Sequence, residues 1–360
     1  MARGQHYLDS NEWLSRQLRT QLELKVNHRQ WRGFVSAYLS QDSAAADFRD
    51  PWLGELLEAY LYYDAGDINI TLGRQRVAWG TADGLSTIDR LNAIDLRNPI
   101  GNARTPSRRP SWLFRVEQQV GPGTLEAVWL PRGKDRKRAE FGSPWESSGL
   151  HFLRSEERLG NIDLRFTDPN SGELGLRYLH YGQGFDWSVA FFNGYGDGPE
   201  QISERGRRVT LRPVRSRTFN TSAAFGLSQS TVRAELAYTP DAMISDERTP
   251  LWQLIAGWDR TFLTSLYTNV QAFWFNAADF EQYGLTFSVS NNFADDALSS
   301  GVRGQLINQD QLSIEVFTEY QWDDHLRLGG KLLFFDGDRG TTLGDFREND
   351  LVEISISWSF

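Results

Sequence analysis

The chain has 360 residues, a net charge of -9, 13 Trp, 12 Tyr, 22 Phe and no Cys. Disulfides and thiolate metal centres are therefore excluded, and a Cys-free chain suits an oxidising envelope compartment. The mean hydropathy of -0.49 is too polar for a bundle of membrane helices, and no run of about 18 apolar residues occurs. The acidic balance gives no overall footprint for nucleic acid.

Residues 1–12 carry no apolar signal core and read as a short N-terminal periplasmic segment. From Trp13 to the last residue the dominant pattern is period-2 alternation, the mark of strands with one apolar and one polar face. In chain order the strand candidates are 13–27, 31–41, 53–63, 67–78, 111–119, 123–131, 173–181, 185–195 and 216–227. They continue with 230–239, 250–260, 265–276, 282–291, 298–307, 311–322, 324–335 and 350–360. The last is the clearest: Val352, Ile354, Ile356, Trp358 and Phe360 alternate with Glu353, Ser355, Ser357 and Ser359. Many candidates are near the length of about 9–11 residues that a tilted strand needs to cross a bilayer. No helix of ordinary length is evident, although 85–97 suits a short helix inside a loop.

Connections alternate between tight turns (27–30, 64–67, 120–123, 182–184, 227–230, 322–325) and long segments (42–52, 79–110, 132–172, 196–215, 240–249, 336–349). Short turns at one end and long loops at the other is the asymmetry of outer-membrane barrels, with the turns periplasmic and the loops extracellular. Seventeen candidates make an odd number, whereas single-chain bacterial barrels have even ones. The expectation is an all-β, transmembrane antiparallel barrel of 16 or 18 strands, formed by 13–360 as one domain. The missing strand is sought near the N-terminus or within 132–172. A soluble β-sandwich would also alternate, but the strand number and the polar second face argue against it. Trp and Tyr near strand ends suit two interfacial girdles.

Two segments carry a resemblance. The terminal SISWSF, with Phe360 last, resembles the signal by which outer-membrane barrels are recognised by their assembly machinery. Residues 72–99 (LGRQRVAWGTADGLSTIDRLNAIDLRNP) resemble the GRQ-then-WG strand and following loop of alginate-export-type and related uncharacterised outer-membrane porins. That resemblance implies a channel, with export of an acidic polysaccharide as its specific version.

An enzymatic reading finds little support. The five His (His6, His28, His151, His180, His325) have no nucleophile pattern or zinc spacing around them, and no phosphate-cradling Gly loop occurs. No catalytic residue, metal or cofactor is expected.

The inward parity instead supplies a charged wall: Arg19, Glu23, Lys25, Arg32, Glu58, Arg115, Glu117, Arg177, Arg233, Glu235, Arg303, Glu315, Glu319, Arg327 and Lys331. So many ions imply a watered lumen, or cross-strand pairs that merely brace the barrel. Arg74 and Arg76 share the outward parity of Leu72; a bulge near Gly73 or a place at the membrane edge would resolve this. The 79–110 loop, with Asp83, Asp89, Arg90, Asp95 and Arg97 beside apolar Leu85, Ile88, Leu91, Ile94 and Leu96, suits a lumen-folded constriction.

Basic loops form a candidate anion-attracting mouth: Arg132, Lys134, Arg136, Lys137 and Arg138, then Arg205, Arg207, Arg208, Arg212, Arg215 and Arg217. Segment 104–110 adds three Arg, and the last long loops are acidic. Contact with lipopolysaccharide phosphates is the plainer use of such loops.

The sequence thus points to an outer-membrane channel of a Gram-negative cell that passes a hydrophilic, anionic solute or acidic polysaccharide. The rival is a non-conducting barrel that anchors or sleeves a partner of an envelope complex. Expected partners are outer-membrane lipid, lipopolysaccharide and the barrel assembly machinery, with a periplasmic or envelope-complex protein under the second reading.

Overall fold

A computed structural model describes all residues except Ala82, Asp83, 98–107, Asp135, 197–199, Ser245 and Thr264. Its strands are β1 (Ala2–Tyr7), β2 (Trp13–His28), β3 (Trp31–Asp42), β4 (Trp52–Asp64), β5 (Ile68–Gln75), β6 (Ser111–Val120) and β7 (Gly123–Leu130). Helix α1 (Ser148–Arg158) and β8 (Asp163–Phe166) follow, then β9 (Glu173–Tyr181), β10 (Phe185–Tyr195), β11 (Gln201–Arg205), β12 (Arg208–Arg212) and β13 (Arg215–Leu227). The rest are β14 (Ser230–Ile244), β15 (Glu247–Phe262), β16 (Leu266–Ala277), β17 (Phe280–Phe293), β18 (Leu298–Ile307), β19 (Gln311–Gln321), β20 (Leu326–Asp336) and β21 (Leu351–Trp358).

Eighteen strands form one antiparallel sheet, with each paired to its chain neighbours in the sheet. The ring closes through β1, which pairs with β2 on one side and β21 on the other. The even strand number therefore comes from residues 2–7. The N-terminus was one of the two places where the missing strand was sought, although 1–12 read as a periplasmic segment; six residues are too few for alternation to reveal a strand. β1 reaches only Leu18 of β2, so it flanks one half of that strand.

The outer face is apolar. Leu22, Leu24 and Val26 of β2 and Ile354 and Ile356 of β21 all lie exposed on it. Trp13, Trp52, Trp112, Trp129, Trp252 and Trp274 ring the long-loop end, and Trp31, Trp322 and Trp358 ring the short-turn end. Such a continuous exposed apolar band, bounded by aromatic girdles, is stable only in lipid. Among the described residues no helix is long and apolar enough to cross a membrane; the apolar band that meets lipid is carried by the strands.

Four local expectations change. Residues 240–249 are not a long loop: β14 runs on to Ile244 and β15 starts at Glu247, the two paired there, with Asp246 left-handed. Residues 85–97 are not helical but bend along the wall, held by side-chain acceptors rather than by a helical ladder. The segment 132–172 holds α1, which starts after Ser147 and ends before left-handed Gly160. Beside α1, β8, β11 and β12 form a separate three-stranded sheet from two long loops. Finally, Gly73 does not bulge. The irregularity lies in β4 between the partners of Ser36 and Ala37, and Arg74 donates to the freed carbonyls of Leu56 (2.9 Å) and Leu57 (3.1 Å).

Candidate functional site

Residues 76–81 and 84–97 lie against the inner wall, and the reason is visible in the residues. Most inward positions are polar, but Leu113, Val128, Leu130 and Phe192 on β6, β7 and β10 make an apolar patch. Val77, Trp79, Ile88 and Leu91 of the loop cover it, with Trp79 only 1% exposed. Gly175 on β9 makes room: a Cβ there would stand 2.6 Å from Trp79 Cη2. A second patch of Ile255, Phe273, Ile307 and Leu343 receives Leu85.

A loop with no ladder must place its N–H groups elsewhere. The Glu235 carboxylate accepts from the N–H of Thr81 (2.8 Å) and Thr87 (2.9 Å) and from Ser86 Oγ (2.8 Å). Gln271 Oε1 accepts from the N–H of Gly84 (2.9 Å) and Leu85 (3.1 Å). Within the loop, Asp89 accepts from the N–H of Trp79 and Gly80, and Asn92 from that of Val77. Arg90 donates to Gln253 on β15.

The loop's end is ionic. Asp95 pairs with Arg97 (2.5 Å) and Arg109 (3.1 Å), and both guanidiniums reach Glu55 on β4 (3.2 and 3.1 Å). Burial alone would raise the Asp95 carboxyl, but the bonds and charge of Arg97, then Arg109, outweigh it and leave it below its ordinary value. Burial alone would lower Arg97, and Asp95 and Glu55 reverse that to a net rise.

The loop thus fills the β5–β10 side of the interior. On the other side remains a cavity of about 550 Å³, walled by β1–β4 and β18–β21, with Asp95 and Arg97 on the loop side and residues 140–145 over it. Its cations are Arg3, Arg19, Arg49, Arg97, Arg303 and Lys331; its carboxylates are Asp42, Asp95, Glu140, Glu319 and Glu353. Of the wall charges expected from parity, Arg19, Arg303, Glu319 and Lys331 line it. Sequence reading missed Arg3, Arg49 and Glu140, which lie outside the strand candidates. Glu353 showed the inward parity but drew no attention as a lone acid.

Most other wall charges are consumed by one another. Arg115 holds Glu117 (2.8 Å) and Glu126 (2.6 Å), and Arg177 holds Glu126 (2.7 Å) and the Trp79 carbonyl. Arg233 pairs with Asp259, Arg303 with Glu315 (2.5 Å), Arg327 with Glu319 (3.9 Å) and Lys331 with Glu353 (3.6 Å). Glu58 accepts from the Arg76 N–H at the end of β5, so Arg76 has left the strand's parity. Lys25 lies near Glu23 (3.8 Å), and Arg32 sits over the Tyr62 ring.

The basic loops divide. Lys134 is no mouth residue: it is buried, with Nζ on the Arg90 carbonyl (2.6 Å) and over Phe192. Arg136 and Arg138 both face Glu200, and the Lys137 carbonyl accepts from Leu96 N–H. Arg215 is a staple to Asn193, Ser171 and Gly172, and Arg217 pairs with Asp241 (3.2 Å). Arg136 and Arg138 thus tie the 132–172 segment to the 196–215 one. Arg132, Arg205, Arg207, Arg208, Arg212 and Arg217 are the exposed ones, Arg208 beside Asp163 (3.0 Å). Asp83 and Arg104 lie outside the described residues. Phe360 is exposed beyond β21, near the Trp358 ring (5.4 Å). Among the described residues no cluster of His or acids has the grouping of a metal site.

A closed even-stranded barrel with an apolar outer band, aromatic girdles, unequal ends and a polar interior defines an outer-membrane-type barrel of porin-like build. The profile of a family described as "Protein of unknown function (DUF1302)" matches residues 3–127. No curated protein matches the chain in sequence. Among solved structures, Salmonella typhi OmpF in complex with daunomycin has 14% identity and a TM-score of 0.48, covering 100% of this chain and 96% of its own. A triple mutant of the Rhodopseudomonas blastica porin has 10% identity and a TM-score of 0.43, covering 100% and 98%.

Proposed function

We propose that the chain is a diffusion channel of the bacterial outer membrane for hydrophilic, anionic solutes, with an acidic polysaccharide as the specific cargo suggested by the resemblance at 72–99. The observation that carries this reading is the charged off-centre cavity beside a loop that is tied down rather than loose. Asp95 and Arg97 form the loop face of the constriction, and Arg205, Arg207, Arg208 and Arg212 recruit anions at the mouth. Phe360 serves assembly.

Conductance of the purified protein in a planar bilayer tests the channel. Anion-selective current is expected, with selectivity reduced when Arg205, Arg207, Arg208 and Arg212 are changed to Gln. A barrel that inserts but carries no current would overturn the channel and leave the sleeve.

A further inference from the structure

Within this proposed passage, one arc of wall gathers positive charge without neutralising it. Arg3 on β1 stands opposite Gln17, so Arg19, two residues further along β2, is its diagonal neighbour on the inner face. Both line the cavity. The Arg3 side chain makes no hydrogen bond or ion pair among the described residues, and its Nε is buried without a partner. Arg19 lies over the Tyr38 ring (3.9 Å) and donates to the neutral Gln21 Oε1 (2.8 Å), with no carboxylate in contact.

The nearby acids are engaged. Glu353 is held by Gln5 (2.6 Å) and Lys331, Asp42 by Ser15 (2.8 Å) and Arg49 (3.6 Å), and Glu55 by Tyr38 (2.8 Å), Arg97 and Arg109.

Two adjacent guanidiniums repel unless an anion sits between them. Planar carboxylate is the partner that their forked N–H groups fit best. We infer that Arg3 and Arg19 form a carboxylate-binding subsite on the cavity wall. Its ligand is the carboxylate of a uronic-acid-sized solute, for which about 550 Å³ is adequate room. This rests on the anion-channel reading and adds to it a place where the anion pauses.

The test uses the full chain in detergent, titrated calorimetrically with galacturonate, with glucose as the neutral control. Saturable galacturonate binding, absent for glucose, is expected. The double variant Arg3→Gln, Arg19→Gln should weaken it at least tenfold, while Arg260→Gln, at the short-turn end, should bind as the parent does. Oligogalacturonates separate the two sources of the group: affinity that rises with length marks a polymer cargo, and constant affinity a small acid. No galacturonate binding by the parent, or equal binding by the double variant, would overturn the subsite even if the barrel conducts. Binding by a barrel that carries no current would keep the subsite and overturn the channel.

Discussion

Glu235 shows what one buried charge does in this wall. Its carboxylate, on a residue only 1% exposed, accepts from two loop amides and a hydroxyl. Replacing it with Ala strands those donors, at about 1–3 kcal/mol for each one left unsatisfied. Glu235→Ala should therefore lower the temperature of the heat-induced gel shift and make single-channel current noisier. Glu235→Gln, with one acceptor oxygen left, should fall between. A variant as quiet and as heat-resistant as the parent would show that the loop is held by its apolar patch alone. Parity placed Glu235 on the inner face correctly, but parity names a face and not a partner. Its partners lie about 150 residues away in sequence, and no local pattern links them. For the same reason parity left open whether Arg177 and Arg233 face a watered lumen or brace the wall; both are paired, Arg177 with Glu126 and Arg233 with Asp259.

At the scale of elements, strands were legible and loops were not. Alternation repeats over ten or more residues and reports one solvent on each face. The 85–97 segment has helix-like apolar spacing because Ile88 and Leu91 cover a wall patch; that spacing reflects contact with a surface, not a ladder. Helix α1 was overlooked because it is short and buries none of its residues, Phe152 among the exposed ones, so it offers no core face to read.

The loop's end has a definite acid response. Asp95 titrates below its ordinary value of 3.8 when folded, so its contribution is complete above that value and fades as pH falls through the lower folded one. Conductance should thus be insensitive to this pair from neutral pH down to that value and change only in stronger acid. Asp95→Asn should abolish that acid transition. An equal acid transition in the variant would place its origin elsewhere.

At the scale of the whole molecule, the two faces of the ring live in different solvents. Trp112, Trp129, Trp322 and Trp358 stand on the outer face, while Trp79 and Trp145 are buried inside. In bilayers of brominated lipid, most Trp fluorescence should be quenched. Trp112→Phe should reduce the quenched fraction, and Trp79→Phe should leave it essentially unchanged. Equal effects from both would contradict the assignment of faces.

The placement of the 76–97 loop along one side of the interior also sets the kind of path on offer. An axial pore treats a passing molecule alike from all directions. In the proposed channel one flank of a passing molecule would meet fixed ionic wall and the other the strap of loop, a rail rather than a tube. A rigid solute would have to rotate to present its charge to Arg19, whereas a flexible chain could follow the rail with every residue presented in turn.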